Sequence, residues 1–358
     1  MLLHEHLENG ADKNPNFPFS EFEGNSLSYQ EANLLSNQLA NKLVSEGLEV
    51  GDRFAFLAKN CTEMAIMYYA ASKVGAVPVP LNYRLADQEW AYIINDSEAK
   101  LIIVKGNEYS DRINQISSEL KNVKKYISIS LDNSIEKFQD FYDWLSDSSN
   151  EKPTLKIHEN DDVYQMYTSG TTGHPKGAVL LQRNVAANIR QYLNSLTLPR
   201  PSRTLLVAPM YHAAAMINMC GCIAIGGTIV IQEDFIPQDV VDCLANEKIT
   251  HTVLVPAMIQ ACLVSVPNVA SNEYNDLDQI HYGASPIAPE TLKKAMDVFK
   301  CKFGQGFGMT ETVAVICLMT PEEHIRALNE KPELLKSCGR PAIDTQVEIR
   351  DENDNPLP

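Results

Sequence analysis

Residues 167–177 read Tyr167-Thr168-Ser169-Gly170-Thr171-Thr172-Gly173-His174-Pro175-Lys176-Gly177, and this stretch decides how the rest of the chain is read. Just before it, Asp162-Val163-Tyr164-Gln165-Met166 has the apolar content of a buried strand. Three glycines, a serine, three threonines and one lysine then follow between 168 and 177. Glycines let a backbone turn and bring its N–H groups close to an anion. Hydroxyls add donors without bulk, and Lys176 adds a mobile positive charge. The composition suits a loop that wraps phosphate. It is not a Walker A loop, which requires G-x-x-x-x-G-K-[ST]. Here His174-Pro175-Lys176-Gly177 follows Gly173, so the spacing excludes a P-loop NTPase.

The 358 residues suffice for a large domain or several subdomains, and 44% of them are hydrophobic, enough for a substantial core. The formal charge of −16 argues against a sequence-independent grip on nucleic acid or anionic lipid. Eight cysteines are scattered without a C-x-x-C, the pattern of reduced thiols in a cytoplasmic protein. The first residues lack the pattern of a secretory signal. Ala213–Ile231 carries no charge, but Asn218, Gly221, Gly226 and Gly227 interrupt it. The expectation is a buried helix, a Gly-Gly turn and a strand, with no transmembrane segment.

Helix and strand patterns alternate along the chain. Ser28-Tyr29-Gln30-Glu31 fits a capping box, with Ala32, Leu35, Leu39 and Leu43 at helical spacing behind it. Arg53–Ala58, Ala76–Pro80 and Ala99–Val104 read as strands, with helices at Glu63–Val74 and Asp87–Asn95. Residues 132–159 turn polar and read as a link. Alternation then resumes, ending with a helix at Pro289–Phe299 and a strand at Lys302–Phe307. This predicts an α/β fold of two successive lobes, roughly 1–150 and 160–335, with mostly parallel sheets covered by helices. Residues 336–358 would begin a small β-rich subdomain.

Three further stretches carry chemistry. Pro209-Met210-Tyr211-His212 follows a buried strand, where ligands bind on a parallel sheet. Tyr282-Gly283-Ala284-Ser285-Pro286 runs a strand into small residues that let a flat base approach the backbone. Gln305-Gly306-Phe307-Gly308-Met309-Thr310-Glu311-Thr312 sets an aromatic between glycines, then a hydroxyl and a carboxylate. Phe307 can stack on a base. Thr310 can donate to a phosphate or carboxylate, and Glu311 can hold Mg²⁺.

Taken in order, these motifs resemble those of the adenylate-forming superfamily: acyl-CoA synthetases, luciferases and the adenylation domains of peptide synthetases. The resemblance covers essentially the whole chain, as the large N-terminal AMP-binding part. It implies that a carboxylic acid reacts with ATP to give acyl-AMP and pyrophosphate, and that the acyl group usually passes on to coenzyme A. It implies that Thr168, Ser169, Gly170, Thr171, Thr172, Gly173 and Lys176 wrap the phosphates. Gly283, Ala284, Ser285 and the 305–310 motif would receive the adenosine. Thr168 and Glu311 would hold Mg²⁺. Lys176, His212, Thr310 and Glu311 would carry the chemistry, and Tyr211, His212, Met216, Gly306 and Gly308 would line the acyl pocket.

There are departures from the family pattern. The ribose-holding Asp, the hinge and the small C-terminal domain with its lysine are missing before Pro358. The expectation is a truncated piece of a longer protein with weak or absent turnover of its own. Gln182 stands where many relatives have histidine. Gln232-Glu233-Asp234-Phe235 is acidic where some relatives place a base near coenzyme A, and like charge would oppose that acceptor. No carboxylate adjoins Tyr211-His212 to pair with an α-ammonium, so an amino acid is disfavoured. Ala213, Ala214, Ala215 and Met216 suggest a roomy pocket for a medium or long aliphatic acid, or an aryl acid. Two alternatives stay open: a ligase that loads a carrier protein, and a nucleotide-binding protein without turnover.

Overall fold

The structure, a computed structural model, describes residues 1–130, 135–168, 173–195, 198 and 200–357. Two sheets dominate it. A five-stranded, all-parallel sheet runs in the order Val77–Pro80, Arg53–Leu57, Leu101–Lys105, Lys125–Ile129 and Phe138–Asp140. A nine-stranded sheet has a parallel centre formed by Lys302–Phe307, Gln279–Gly283, His251–Val253, Arg203–Leu206, Thr228–Ile231 and Pro18–Phe22. Antiparallel strands close its edges: Asn25–Ser28 on one side, Cys317–Met319 and Arg340–Pro341 on the other. The central strands of the first sheet are apolar runs, as burial on both faces demands.

The largest departure of the sheet order from the sequence order lies at one edge of the large sheet. The hairpin Pro18–Ser28 lies early in the chain yet pairs with Thr228–Ile231 of the later sheet. Tyr29, fully buried, donates its hydroxyl to the Gly227 carbonyl at 2.6 Å and fastens that edge. The two sheets therefore share material. The helix Thr62–Val74, buried from Met64 to Val74, joins one core cluster with residues of both sheets. Ser28 and Glu31 form the expected capping box.

Within the stretch read as a polar link, Phe138–Asp140 is the edge strand of the first sheet and Phe141–Leu145 is a short helix capped by Asp140. Phe141 and Trp144 are buried there, so two aromatics in a polar context suffice to anchor it. Ala213–Ala224 is a helix and Thr228–Ile231 a strand, as the glycine pair suggested. Among the described residues no helix is long and apolar enough to cross a membrane. The eight cysteines are unpaired. At the end of the chain, Ile349–Arg350 and Pro356–Leu357 form a small antiparallel ribbon.

Candidate active site

The stretch that opened the sequence reading contributes the facing ends of a separate two-stranded ribbon. Asp162–Thr168 pairs antiparallel with Lys176–Leu181, and Thr168 stands opposite Lys176. Ser169, Gly170, Thr171 and Thr172 lie outside the described residues. The ribbon is braced against the first sheet's helix Asp87–Asp96. Tyr167 donates to Asp96 at 2.6 Å, and burial followed by the Asp96 charge raises its pKa. Tyr92 stacks on His174 at 5.0 Å. Gly173 has φ +99°, a conformation that favours glycine. A Cβ on Gly177 would strike Gln165 and Tyr167, so the two strands can approach only with glycine there. Lys176 is exposed and forms no ion pair among the described residues.

The decisive juxtaposition is across the molecule. The strand Lys176–Leu181 lies against the 3₁₀ turn Thr310–Thr312, although some 130 residues separate them in sequence. What holds them is the helix Gln182–Ser195, which continues directly from that strand. Its buried Asn188 donates to the Val315 carbonyl at 2.8 Å and accepts from the Val315 N–H at 3.2 Å. A side-chain amide that pairs with both backbone groups of one residue acts as a substitute strand edge. Between Thr312 and Val315 the backbone is strained. Val313 sits at φ +71°, ψ −64°, and Ala314 N–H closes onto the Thr312 carbonyl at 3.0 Å, a γ-turn that a β-branched residue rarely adopts. Such strain costs on the order of 1–3 kcal/mol. Burial of Val313 and the Asn188 clamp offset it. Sequence reasoning missed both residues. An asparagine mid-helix is a weak signal, because it competes with the backbone in any helix.

The strand ends on the large sheet supply a glycine cradle. Gly283 faces Gly306 in register, and a Cβ on Gly283 would strike the Gly306 carbonyl. Ala284 follows at φ +65°. A Cβ on Gly306 would meet only Val315 Cγ2, at 3.9 Å, so space opens there. Gly308 plays a different part from the pocket role expected of it. Its Cα faces the Ala314 carbonyl with no room for a side chain, so it permits packing rather than opening space. Phe307 and Met309 are 45% and 49% exposed, unusual for apolar side chains beside a glycine turn. Thr312 Oγ1 donates to the Met309 carbonyl and accepts its N–H, while Thr310 and Glu311 make no side-chain hydrogen bond among the described residues. Ser285 is exposed at the same strand end.

Pro209–His212 is held by the first lobe. Buried Asn60 donates to the Ala208 and Gln232 carbonyls and accepts from Met210 N–H at 2.8 Å. Tyr68 donates to the Met210 carbonyl. Tyr211 packs edge-on against Tyr83 at 5.5 Å and lies 4.3 Å from the His212 ring. His212 is the N-cap of Ala213–Ala224. Desolvation and then the Arg84 charge lower its pKa, which favours the neutral ring. Met216 is fully buried, with Sδ 3.2 Å from Cys220 Sγ, and belongs to the core. The acidic segment expected to repel coenzyme A is balanced. Asp234 is paired with Lys59 at 2.6 Å and accepts from Tyr83, while Arg84 stacks over the Tyr83 ring. The like-charge objection therefore loses its force.

Thr168 and Glu311 offer oxygen donors only, the set that Mg²⁺ takes when substrate phosphates complete its shell. Among the described residues no group of three His, Cys, Asp or Glu could cage a metal ion unaided. The donor chemistry thus fits an ion that arrives with a nucleotide.

Comparison with known proteins agrees with this geometry. The family described as AMP-binding enzyme matches residues 7–358. The long-chain-fatty-acid–CoA ligase FadD13 of Mycobacterium tuberculosis is 29% identical over 329 residues, which is 91% of this chain and 62% of that protein. The fatty acid–[acyl-carrier-protein] ligase ScoC of Streptomyces coeruleorubidus is 29% identical over 356 residues, 97% of this chain and 65% of that protein. The chain thus spans less than two thirds of these relatives. An inhibitor-bound crystal structure of the N-terminal domain of FACL13 from Mycobacterium tuberculosis superposes with a TM-score of 0.89 at 25% identity, covering 99% of this chain and 86% of that one.

Proposed function

The chain belongs to the AMP-binding enzyme family, and from that premise we propose that it is the adenylating part of an acid–thiol ligase. In this reading an oxygen of a carboxylic acid attacks the α-phosphorus of ATP. The bond to the β-phosphate breaks, acyl-AMP forms and pyrophosphate leaves. The observation that carries it is the placement of the Lys176–Leu181 strand against the Thr310–Thr312 turn. The strand that begins at the cation Lys176 thereby packs against a turn carrying an uncommitted threonine and carboxylate.

Each residue has a part. Lys176 and the 168–173 loop neutralise and orient the phosphates, and positioning with charge neutralisation is most of what such a transfer needs. Bound Mg²⁺, held by Thr168 and Glu311, would add charge neutralisation at the phosphates. Phe307 and Met309 offer an apolar surface to adenine beside Gly283, Ala284, Ser285 and Gln305. Thr310 donates to the phosphate or the substrate carboxylate. Neutral His212 borders the acyl pocket with Tyr211. Gly306 leaves room for a medium or long aliphatic acid, or an aryl acid. The acceptor is coenzyme A in the complete protein, and the balanced charge around Asp234 is compatible with it. A carrier protein is the second reading, favoured by the equal identity to ScoC. Unpaired cysteines suit a reducing compartment, and we place the protein in the cytoplasm.

The test is acid-dependent exchange of pyrophosphate into ATP by the gene-length protein, and by its Glu311→Gln variant. Exchange should be present, and the variant should lose about 10²–10³ of it. ATP binding without exchange for any acid would instead favour a nucleotide-binding protein without turnover. A near-normal Glu311→Gln rate would remove Glu311 from the metal. Adding coenzyme A or a carrier protein identifies the acceptor.

A further inference from the structure

The loop that carries Thr310 and Glu311 spans residues 308–315 between two strands of the large sheet. Ile316 N–H closes its base on the Phe307 carbonyl at 2.8 Å. Inside the loop Thr312 Oγ1 fastens Met309, and Val313 holds a positive φ. A β-branched residue resists that geometry, so the loop's own sequence does not supply it. The restraint comes from the helix Gln182–Ser195.

That helix buries two adjacent faces. Val185, Ile189 and Tyr192 recur at helical spacing and face the core, where Tyr192 tilts at 6.2 Å over His281 in a layer with His251 of the next strand. Beside them Asn188 and Gln191 are only 3% and 8% exposed. The two amides are joined, Asn188 Nδ2 donating to Gln191 Oε1 at 2.8 Å. Asn188 meets both backbone groups of Val315. Gln191 Nε2 donates to the Ile343 carbonyl and to Thr345 Oγ1, each at 2.9 Å. Ala342 N–H in turn donates to the Ile316 carbonyl at 2.8 Å, and Arg190 pairs with Asp344 at 2.8 Å. Every N–H of both amides thus has an acceptor. The acceptors at Val315 and Ile343 lie 127 and 152 residues further along the chain than the amides that reach them. A buried polar network of this kind adds little to stability over an apolar core, but when every member is satisfied it fixes a single arrangement. What it fixes here is Val315, two residues beyond the strained Val313.

We propose that Asn188, oriented by Gln191, is a positioning residue for acid activation: it holds the 308–315 loop in the form that keeps Thr310 and Glu311 beside the strand beginning at Lys176. This rests on the adenylating reading above. Both amides are enclosed by protein, so they act through the loop and not on a bound acid or nucleotide. Without the clamp Val313 relaxes to negative φ, and the backbone between Gly308 and Val315 is re-aimed. A misplacement of about 1 Å at reacting groups lowers a rate by about 10²-fold. The loss falls on the transition state, where the placement of these groups is decisive, and hardly on ground-state binding.

The experiment is acid-dependent pyrophosphate exchange by the gene-length protein, with ATP and acid each varied, for the native protein, Asn188→Ala, Val313→Gly and the double variant. Asn188→Ala should lower kcat about 10–100-fold with both KM values within about threefold of native. Glycine adopts positive φ freely, so the same substitution should lower kcat at least about fivefold less when residue 313 is glycine. An equal loss in both backgrounds, or a loss carried by KM, overturns the positioning role. Amide hydrogen exchange gives a readout independent of turnover. In the native protein Val315 N–H should exchange at least about tenfold more slowly than Glu311 N–H of the same loop, and Asn188→Ala should remove the difference. Equal rates in the native protein overturn the clamp even if no variant folds. Absence of pyrophosphate exchange with every acid overturns the adenylating reading, and with it the catalytic part of this assignment, while a protected Val315 leaves the clamp standing as a feature of the fold.

Discussion

Two buried polar clusters lie near opposite ends of the same helix, Gln182–Ser195, and they differ in closure. At its start, Gln182 is fully buried, accepts from Leu3 N–H at 3.1 Å and donates to Ser72 at 2.9 Å. Ser72 lies 2.9 Å from His4 Nδ1. One residue on, Lys73 donates to Asn33 and Asn37 and faces Glu8 Oε1 at 3.7 Å, an ion pair that answers the carboxylate's charge without a hydrogen bond to that oxygen. Near the helix end, the His251–His281 layer keeps two ring nitrogens unpaired. The first cluster ties the helices Leu3–Lys13, Thr62–Val74 and Gln182–Ser195 together. The second lies beneath the open space of the candidate site. A polar group that structure uses finds partners within the structure, and one left without them is available to something else.

The comparison can be broken by titration. His251 and His281 both have pKa values lowered to about 3 by burial, so each stays neutral in the native chain. Below about pH 6.5 the unfolded chain takes up protons that the native chain does not. Stability is therefore full above that pH and falls with acidification until about pH 3. Each histidine contributes up to about 1.4 kcal/mol per pH unit. Between pH 7 and 5 the pair should account for about 4 kcal/mol of the loss measured by urea unfolding, and a variant lacking both should lose correspondingly less.

Substitution sharpens it further. Lys73→Met should cost about 3 kcal/mol, because Glu8, Asn33 and Asn37 lose a buried cation. Urea unfolding at pH 7 measures it. Burial lowers the Lys73 pKa to about 8, so the native stability should itself rise from pH 8 toward pH 10 as that charge is relinquished. Gln182→Leu should cost about 2 kcal/mol by leaving Leu3 N–H and Ser72 short of partners. His281→Leu should cost less than about 1 kcal/mol, since it removes a group that has no hydrogen bond to lose. A large destabilisation from His281→Leu, equal to that of Gln182→Leu, would mean that the two clusters do the same work.

Much of the fold was legible along the chain. Pro289–Phe299 and Lys302–Phe307 are a helix and a strand to the residue, because proline at the helix start and apolar strand positions mark both locally. The helix Asn107–Ile116 went unassigned although Tyr109, Ile113 and Ile116 recur on its buried face, since polar residues outnumber them. Phe138–Asp140 is three residues long and too short for any period to show. At the site, the motif order pointed to Lys176, His212 and Thr310–Glu311. Asn60, Asn188 and Val313, which position those motifs, carry no local pattern.

The chain by itself determined which segments fold as strand or helix, since periodicity, capping residues and glycine placement act over a few neighbouring residues. It also determined the chemistry on offer: hydroxyls and a lysine in one turn, an aromatic, a threonine and a glutamate in another. Only the tertiary structure decided that the Lys176–Leu181 strand meets the Thr310–Thr312 turn, that the early hairpin joins the later sheet, that Asp234 is neutralised by Lys59, and that Gly308 serves packing while Gly306 opens space. The first three depend on pairings between residues more than a hundred positions apart, and such pairings are set by which buried surfaces and hydrogen bonds can be satisfied together.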